Sequence, residues 1–219
     1  MSSDLAKQQL YQAIGRVAAA LGNAGRLQIL EFVAQGERSV DALAAMTGLS
    51  VANTSKHLQA LRQAGLVSAR KEGLRVYYSI AGDDVSLLLT SLRGVAEHRA
   101  ADVDKLLQAW LAHRDELDPV PAREVLARLK SGLVTVLDVR PAEEFLAGHL
   151  TGALNVPVDR LEAYLSKLPK RKEVIAYCRG PYCLMSFEAV AKLRKRGFKA
   201  KRLADGYPEW RAAGLPVER

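Results

Sequence analysis

Two prolines within three residues, in the stretch Asp118-Pro119-Val120-Pro121, interrupt the middle of the chain. Each removes a backbone N–H and fixes φ, so neither a helix interior nor a central strand passes through this point. A chain of 219 residues exceeds one small core, and the interruption predicts two domains, residues 1–117 and 118–219. With 49% hydrophobic and 26% charged residues, both halves hold enough apolar material to exclude a disordered or fibrous chain. Apolar runs such as Val17 to Leu21 and Leu87 to Leu89 fall far short of the roughly 20 residues that span a bilayer. The polar start Met-Ser-Ser-Asp lacks a signal-peptide apolar core, so the expectation is a cytoplasmic protein with no membrane partner. Only Cys178 and Cys183 carry thiols, a usage that suits reactive sulfur in a reducing compartment better than a structural disulfide.

The formal net charge of +8 is unevenly placed. Residues 1–118 hold 13 Lys/Arg and 13 Asp/Glu, whereas 119–219 hold 19 and 11. Bulk charge therefore does not assign nucleic-acid binding to the first half, but local charge does point there: Lys56, Arg62, Arg70, Lys71 and Arg75 face a single acid, Glu72, between Ala42 and Ile80. The pattern over that stretch is specific. Ser39 caps a short helix Val40 to Met46, Thr47-Gly48-Leu49 breaks it, and Ser50 caps a second helix Val51 to Ala64 with Leu58 and Leu61 inward and a polar outer face. After Gly65, Leu66 to Arg70 and Leu74 to Ile80 read as two strands joined by a turn at Lys71 to Gly73. Helix, glycine turn, capped polar helix and β wing together make a winged helix-turn-helix.

The runs Leu21-Gly-Asn-Ala-Gly-Arg-Leu-Gln-Ile-Leu, Leu43-Ala-Ala-Met-Thr-Gly-Leu-Ser, Ser55-Lys-His-Leu-Gln-Ala-Leu-Arg-Gln-Ala-Gly-Leu-Val and Arg75-Val-Tyr-Tyr-Ser-Ile resemble the ArsR family of bacterial winged-helix repressors over about residues 8 to 113. The resemblance implies a homodimer built on the first and last helices, Ala6–Leu21 and Asp83–His113, and a double-stranded DNA operator as partner. On that mapping Asn53, Thr54, Ser55, Lys56, His57 and Arg62 are candidates for base-edge or phosphate contacts, and Arg70, Lys71 and Arg75 for backbone contacts from the wing. The helix preceding the recognition helix carries Arg38-Ser39-Val40-Asp41 where metal-sensing relatives place cysteines. Glu97, His98 and Asp102 on the last helix read as surface polar residues, so neither a metal nor a cofactor is expected.

Beyond the prolines, strand and helix alternate: Ala122 to Lys130 helical, Leu133 to Val139 a strand, Pro141 to Ala147 helical, Glu173 to Cys178 a strand, then a helix from about Leu184. This predicts a small α/β domain with a parallel sheet, whose ligands bind beyond the carboxyl ends of its strands, where Cys178 stands. The loop Cys178-Arg179-Gly180-Pro181-Tyr182-Cys183 runs straight into a helix, so its amides and the positive helix end can converge on the Cys178 sulfur. Leu137-Asp-Val-Arg-Pro-Ala-Glu-Glu-Phe-Leu-Ala-Gly-His-Leu-Thr-Gly-Ala-Leu-Asn-Val-Pro and Leu203-Ala-Asp-Gly-Tyr-Pro-Glu-Trp-Arg, with this loop, resemble a rhodanese domain spanning about 120 to 218. The resemblance implies a Cys178 persulfide cradled by the loop amides, with Asp138 and Arg140 in support and His149 structural. Related phosphate-handling loops carry an arginine six residues after the cysteine, where this chain has Leu184. Cys183 departs from the usual rhodanese residue and is read either as a resolving thiol or as a small buried hydrophobe.

Two functions follow from these residues. One is a DNA-binding repressor whose rhodanese domain senses or processes reactive sulfur, supplied as thiosulfate, polysulfide or low-molecular-weight persulfides. The other is a sulfurtransferase whose first domain serves dimerisation or autoregulation. The cations Lys192, Arg194, Lys195, Arg196, Lys199, Lys201 and Arg202 would attract such anions, contact a DNA backbone, or form an ordinary solvated helix end.

Overall fold

The computed structural model describes residues 3–111 and 119–219, and the chain divides into two compact units between Val85 and Ser86. The junction expected at 117/118 lies outside the described residues.

The first unit begins with α1 (Ser3–Leu21) and α2 (Ala24–Val33), followed by the short strand β1 (Arg38–Ser39), α3 (Val40–Thr47) and α4 (Val51–Gln63), and closes on β2 (Val67–Glu72) and β3 (Arg75–Ile80). Its helix starts are set by side-chain caps: Asn23 accepts the Arg26 amide at 3.1 Å, Ser39 that of Ala42 at 3.2 Å, and Ser50 that of Asn53 at 3.2 Å. Gly48, at φ 72°, supplies the left-handed turn between α3 and α4. Ile29, Leu30, Leu43, Leu58 and Leu61 are fully buried and form the core. The strands pair antiparallel in the order β1-β3-β2. Glu72 faces Arg75, so the wing turns on Gly73-Leu74 rather than on Lys71 to Gly73. Gly73, at φ 58°, meets the positive-φ requirement of a two-residue hairpin.

Helix α5 (Asp83–Arg99) starts three residues before the division and is followed by α6 (Ala101–Leu111). The sequence predicts one helix over this stretch; the chain breaks at Ala100, and nothing in the structure explains that break. His113, the expected end, lies outside the described residues.

The rest of the second unit comprises β4 (Pro119–Val120), α7 (Ala122–Lys130), β5 (Val134–Asp138), α8 (Ala142–Ala147), β6 (His149–Leu150), β7 (Leu154–Asn155), α9 (Leu161–Tyr164) with a 3-10 turn after it, β8 (Glu173–Tyr177), α10 (Leu184–Lys195), β9 (Ala200–Leu203), α11 (Tyr207–Ala212) and β10 (Val217–Glu218). Five strands form a parallel sheet in the order β4-β9-β8-β5-β7, and β6 pairs antiparallel with β10. The Pro119-Val120 of the expected linker is thus an edge strand, the position in a sheet where a missing N–H is tolerated. Side-chain alternation along β8 builds a core on each face: Val174 and Ala176 join Leu137, Phe187 and Val190, while Ile175 and Tyr177 join Val125, Val136 and Trp210. Cys178 continues the first of these rows and is buried with it. Asp138 and Tyr177 stand opposite each other at the carboxyl ends of β5 and β8, which places the 178–183 loop at the edge where α/β sheets bind ligands.

Candidate functional site

In the first unit, α4 presents Asn53, Lys56, Gln59, Arg62 and Gln63 to solvent, while Leu58 and Leu61 anchor its inner face. Thr54 belongs to that inner face: it is fully buried and its hydroxyl donates to the Ser50 carbonyl at 3.0 Å, so the expected nucleic-acid contact is corrected to a packing role. The spacing 54, 58, 61 is one helical stripe, which is why a polar residue is drawn inward here. Ser55 is half-buried, as is His57, whose ring packs beside Gly25 and whose pKa is lowered by burial and then by the charge of Arg26. Both effects favour the neutral imidazole at His57. On the wing, Lys71 and Arg75 are exposed. Arg70 is held in a fork by Glu37 at 2.5 and 3.0 Å, by Glu72 at 2.6 Å, and lies over the Tyr77 ring. The hydrogen bond from Arg70 lowers the pKa of Glu37. Glu37 was not visible as a partner in the sequence because 33 residues separate the pair.

In the second unit, the base of the 178–183 loop is a buried ionic network. Arg140 and Asp138 are both fully buried and joined by bonds of 2.5 to 3.1 Å, Arg140 also donates to the Gly148 carbonyl at 2.8 Å, and the Tyr177 hydroxyl donates to Asp138 at 2.5 Å. Burial disfavours the Arg140 charge, but bonding and attraction to Asp138 outweigh it and its pKa is raised. The Arg140 guanidinium also lies over the Tyr207 ring. Arg179, the first loop residue after Cys178, forks onto Glu144 at 2.7 and 3.0 Å, and that carboxylate is itself fully buried. Glu144 follows Glu143 in sequence, and only the fold shows which of the two turns inward.

The loop brings Cys178 and Cys183 together, both as free thiols. Cys178 is only 1% exposed, with its sulfur 3.3 Å from Ser186 Oγ, 3.4 Å from the Cys183 carbonyl and 3.8 Å from the Gly180 carbonyl. Burial pushes its pKa up, and the neighbouring Cys183 thiol raises it further. Cys183 caps α10 and is the more accessible of the two. The neighbouring Cys178 thiol, with the amides of Arg179 and Met185 and the charge of Arg179, lowers its pKa to about 7 against the cost of burial. The amide cradle expected around Cys178 is thus divided: Arg179 and Met185 serve Cys183, while Ser186 serves Cys178. Ser186 was missed in the sequence, although it lies on the first turn of α10.

A second segment supports the loop from behind. The Tyr207 amide donates to the Cys178 carbonyl at 3.2 Å, and Gly206 lies so close that a Cβ there would stand 2.4 Å from backbone atoms of Arg179 and Gly180. Beside the site a cavity of about 630 Å³ is bounded by Val139, Asn155, Val158, Arg160, Tyr164 and Met185. His149 stacks on Phe145 and contacts its carbonyl at 2.9 Å, a structural position. Much of the 192–202 cationic cluster is engaged locally: Lys192 with Glu188, Arg194 with the Ala200 carbonyl and Arg196 with Glu162. Among the described residues no cluster of His, Cys, Asp and Glu is placed to hold a metal ion, and no helix is long and apolar enough to cross a membrane.

Comparison with known proteins matches residues 23–69 to the bacterial regulatory protein, arsR family, and residues 121–213 to the rhodanese-like domain. The chain is 46% identical over 212 residues to the HTH-type transcriptional regulator Rv0324 of Mycobacterium tuberculosis, covering 97% of this chain and 93% of that protein. An 85-residue match at 31% identity covers 38% of this chain and 78% of a sulfurtransferase from Allochromatium vinosum. Among solved structures, the homodimeric winged helix-turn-helix DNA-binding domain, fragment 1–100, of Mb0332 from Mycobacterium bovis is similar at 45% identity, covering 47% of this chain and 93% of that one with a TM-score of 0.42.

Proposed function

Since the chain belongs to the ArsR family of transcriptional regulators and joins that winged helix-turn-helix to a rhodanese-like domain, we propose that it is a DNA-binding repressor whose operator affinity is set by reactive sulfur at the Cys178–Cys183 pair. The observation that carries this reading is the placement of two free thiols on one loop at the start of α10, the Cys178 sulfur 3.4 Å from the Cys183 carbonyl, with the pKa of Cys183 lowered to about 7. Such a pair holds one readily lost proton. Once Cys183 has lost that proton, transfer of the Cys178 proton to the Cys183 thiolate leaves a Cys178 thiolate stabilised by the amide and hydroxyl of Ser186.

That thiolate attacks the terminal sulfur of a polysulfide; a Cys–S bond forms, the donor S–S bond breaks, and the donor leaves one sulfur shorter. With thiosulfate the same displacement releases sulfite. No net electron transfer from solution is needed in either case. Cys183 then attacks the inner sulfur of the persulfide, forming a Cys178–Cys183 disulfide and releasing hydrosulfide; the sulfane sulfur is reduced as the two thiols are oxidised.

For the DNA side, Asn53, Lys56 and Arg62 on α4 with Lys71 and Arg75 on the wing form the reading surface. A homodimer accounts for the apolar side chains left exposed on α1 (Leu10, Tyr11, Ile14) and on α5 (Leu88, Leu92, Val95). The test is operator binding at fixed salt with and without sodium tetrasulfide. A change of five-fold or more, abolished in Cys178→Ser, supports the reading, and equal affinity in both states removes it.

The second reading, a sulfurtransferase whose first unit serves dimerisation or autoregulation, draws on the likeness to the Allochromatium vinosum protein. Thiocyanate formed catalytically from thiosulfate and cyanide, and lost in Cys178→Ser, would favour it.

A further inference from the structure

The loop that carries the two thiols is held from outside by helix α5. Glu97 accepts a hydrogen bond from the Tyr182 hydroxyl, and Arg93, one turn earlier on the same face, pairs with Glu209. The Glu209 carboxylate also takes the Gly206 amide at 3.0 Å, and Gly206 is the residue in backbone contact with Arg179 and Gly180. A Cβ on Gly180 would lie 3.8 Å from both the Arg93 guanidinium and the Glu209 carboxylate. Two side chains of one helix thus grip the loop at its tip and at its back. The Arg93 side chain is 25% and that of Glu209 9% exposed, so the ion pair is shielded well beyond an ordinary surface bridge.

The loop cannot accept a second sulfur as it stands. A persulfide adds an atom about 2 Å from Sγ, yet oxygens of Ser186, Cys183 and Gly180 already lie 3.3, 3.4 and 3.8 Å from that sulfur, and with 1% exposure no open direction remains. Loading Cys178 therefore requires the 179–183 segment to move outward, and Tyr182 and Gly180 move with it.

We propose that α5 is the output lever of the sulfur site: Arg93 and Glu97 clamp the loop closed over Cys178, and sulfur loading breaks the clamp and loosens α5. The inference deepens the sensing function above and rests on it. It names the two positioning residues through which the loop acts on a helix that begins in the first unit. Linkage makes the effect reciprocal: whatever releases α5 exposes Cys178, and whatever loads Cys178 releases α5.

The test uses the full-length protein, sodium tetrasulfide as donor, intact mass for the sulfur adduct, and amide hydrogen exchange over residues 86–99. In the wild type, a +32 Da persulfide, or the −2 Da disulfide that follows its resolution by Cys183, is expected to accompany at least five-fold faster exchange in α5. Glu97→Ala and Arg93→Gln should show the same mass change, show fast exchange before any sulfur is added, and alkylate Cys178 several-fold faster; Arg93→Lys, which keeps the ion pair, should restore the wild-type response. Unchanged α5 exchange in loaded wild type, or a wild-type response in both Glu97→Ala and Arg93→Gln, overturns the clamp while leaving the sulfur chemistry standing. If neither mass change appears, the sensing function itself is removed, and the clamp's trigger with it.

Discussion

Alkylation of Cys183 as a function of pH tests the ionisation that the sulfur chemistry depends on. Because its pKa is lowered to about 7, Cys183 is already partly thiolate at pH 6 and nearly all thiolate at pH 9. Its rate with iodoacetamide should then rise only about 11-fold between those pH values, whereas a free cysteine with pKa near 8.5 rises about 240-fold. This ratio cancels the partial shielding of Cys183, which scales both rates equally. At pH 7 the thiolate fraction is about 16 times that of a free thiol, while the lower basicity costs about five-fold in nucleophilicity, so the intrinsic advantage is near three-fold. The direction follows from the hydrogen bond: the charged form is favoured by the Cys178 S–H and two amides, so reactivity is present above about pH 7 and lost as pH falls through that value. Removing the S–H donor in Cys178→Ala should move the profile to higher pH and steepen it. Peptide mapping of the adduct by mass spectrometry assigns the site. A rise well above a hundred-fold in the wild type, or alkylation of Cys178 ahead of Cys183, would refute the reasoning.

Other consequences are independent of sulfur. Arg140→Gln leaves a fully buried Asp138 without its cation and should destabilise the second unit by about 3–5 kcal/mol, read as a lower urea midpoint. Gly206→Ala places a methyl 2.4 Å from the loop backbone, so the loop must shift, and faster alkylation of Cys178 is the expected sign. Lys56→Ala should weaken operator binding across sequences and reduce the slope of log affinity against log salt by roughly 0.9, whereas Thr54→Val, inside the core, should leave that slope unchanged.

Much of the architecture was legible because it rests on local chemistry. Ser39 and Ser50 cap their helices since a hydroxyl there satisfies an amide that the helix cannot, and this depends on nothing distant. The strand–loop–helix around Cys178 was legible for the same reason. What the residues did not disclose depends on contacts far along the chain: Arg70 with Glu37, Arg179 with Glu144, Tyr182 with Glu97. The burial of Cys178 was readable in principle from the period-two row Val174, Ala176, Cys178, but its ordering relative to Cys183 was not, because that ordering turns on which thiol the Arg179 and Met185 amides meet. Pro119-Val120 reads as a linker by composition, and only pairing with β9 makes it a strand.

The contact at Gly206 also gives the loop a handedness of motion. A Cβ there would stand 2.4 Å from the Arg179 and Gly180 backbone, so displacement toward that segment is blocked, and a side chain larger than hydrogen at position 206 would push the loop the other way.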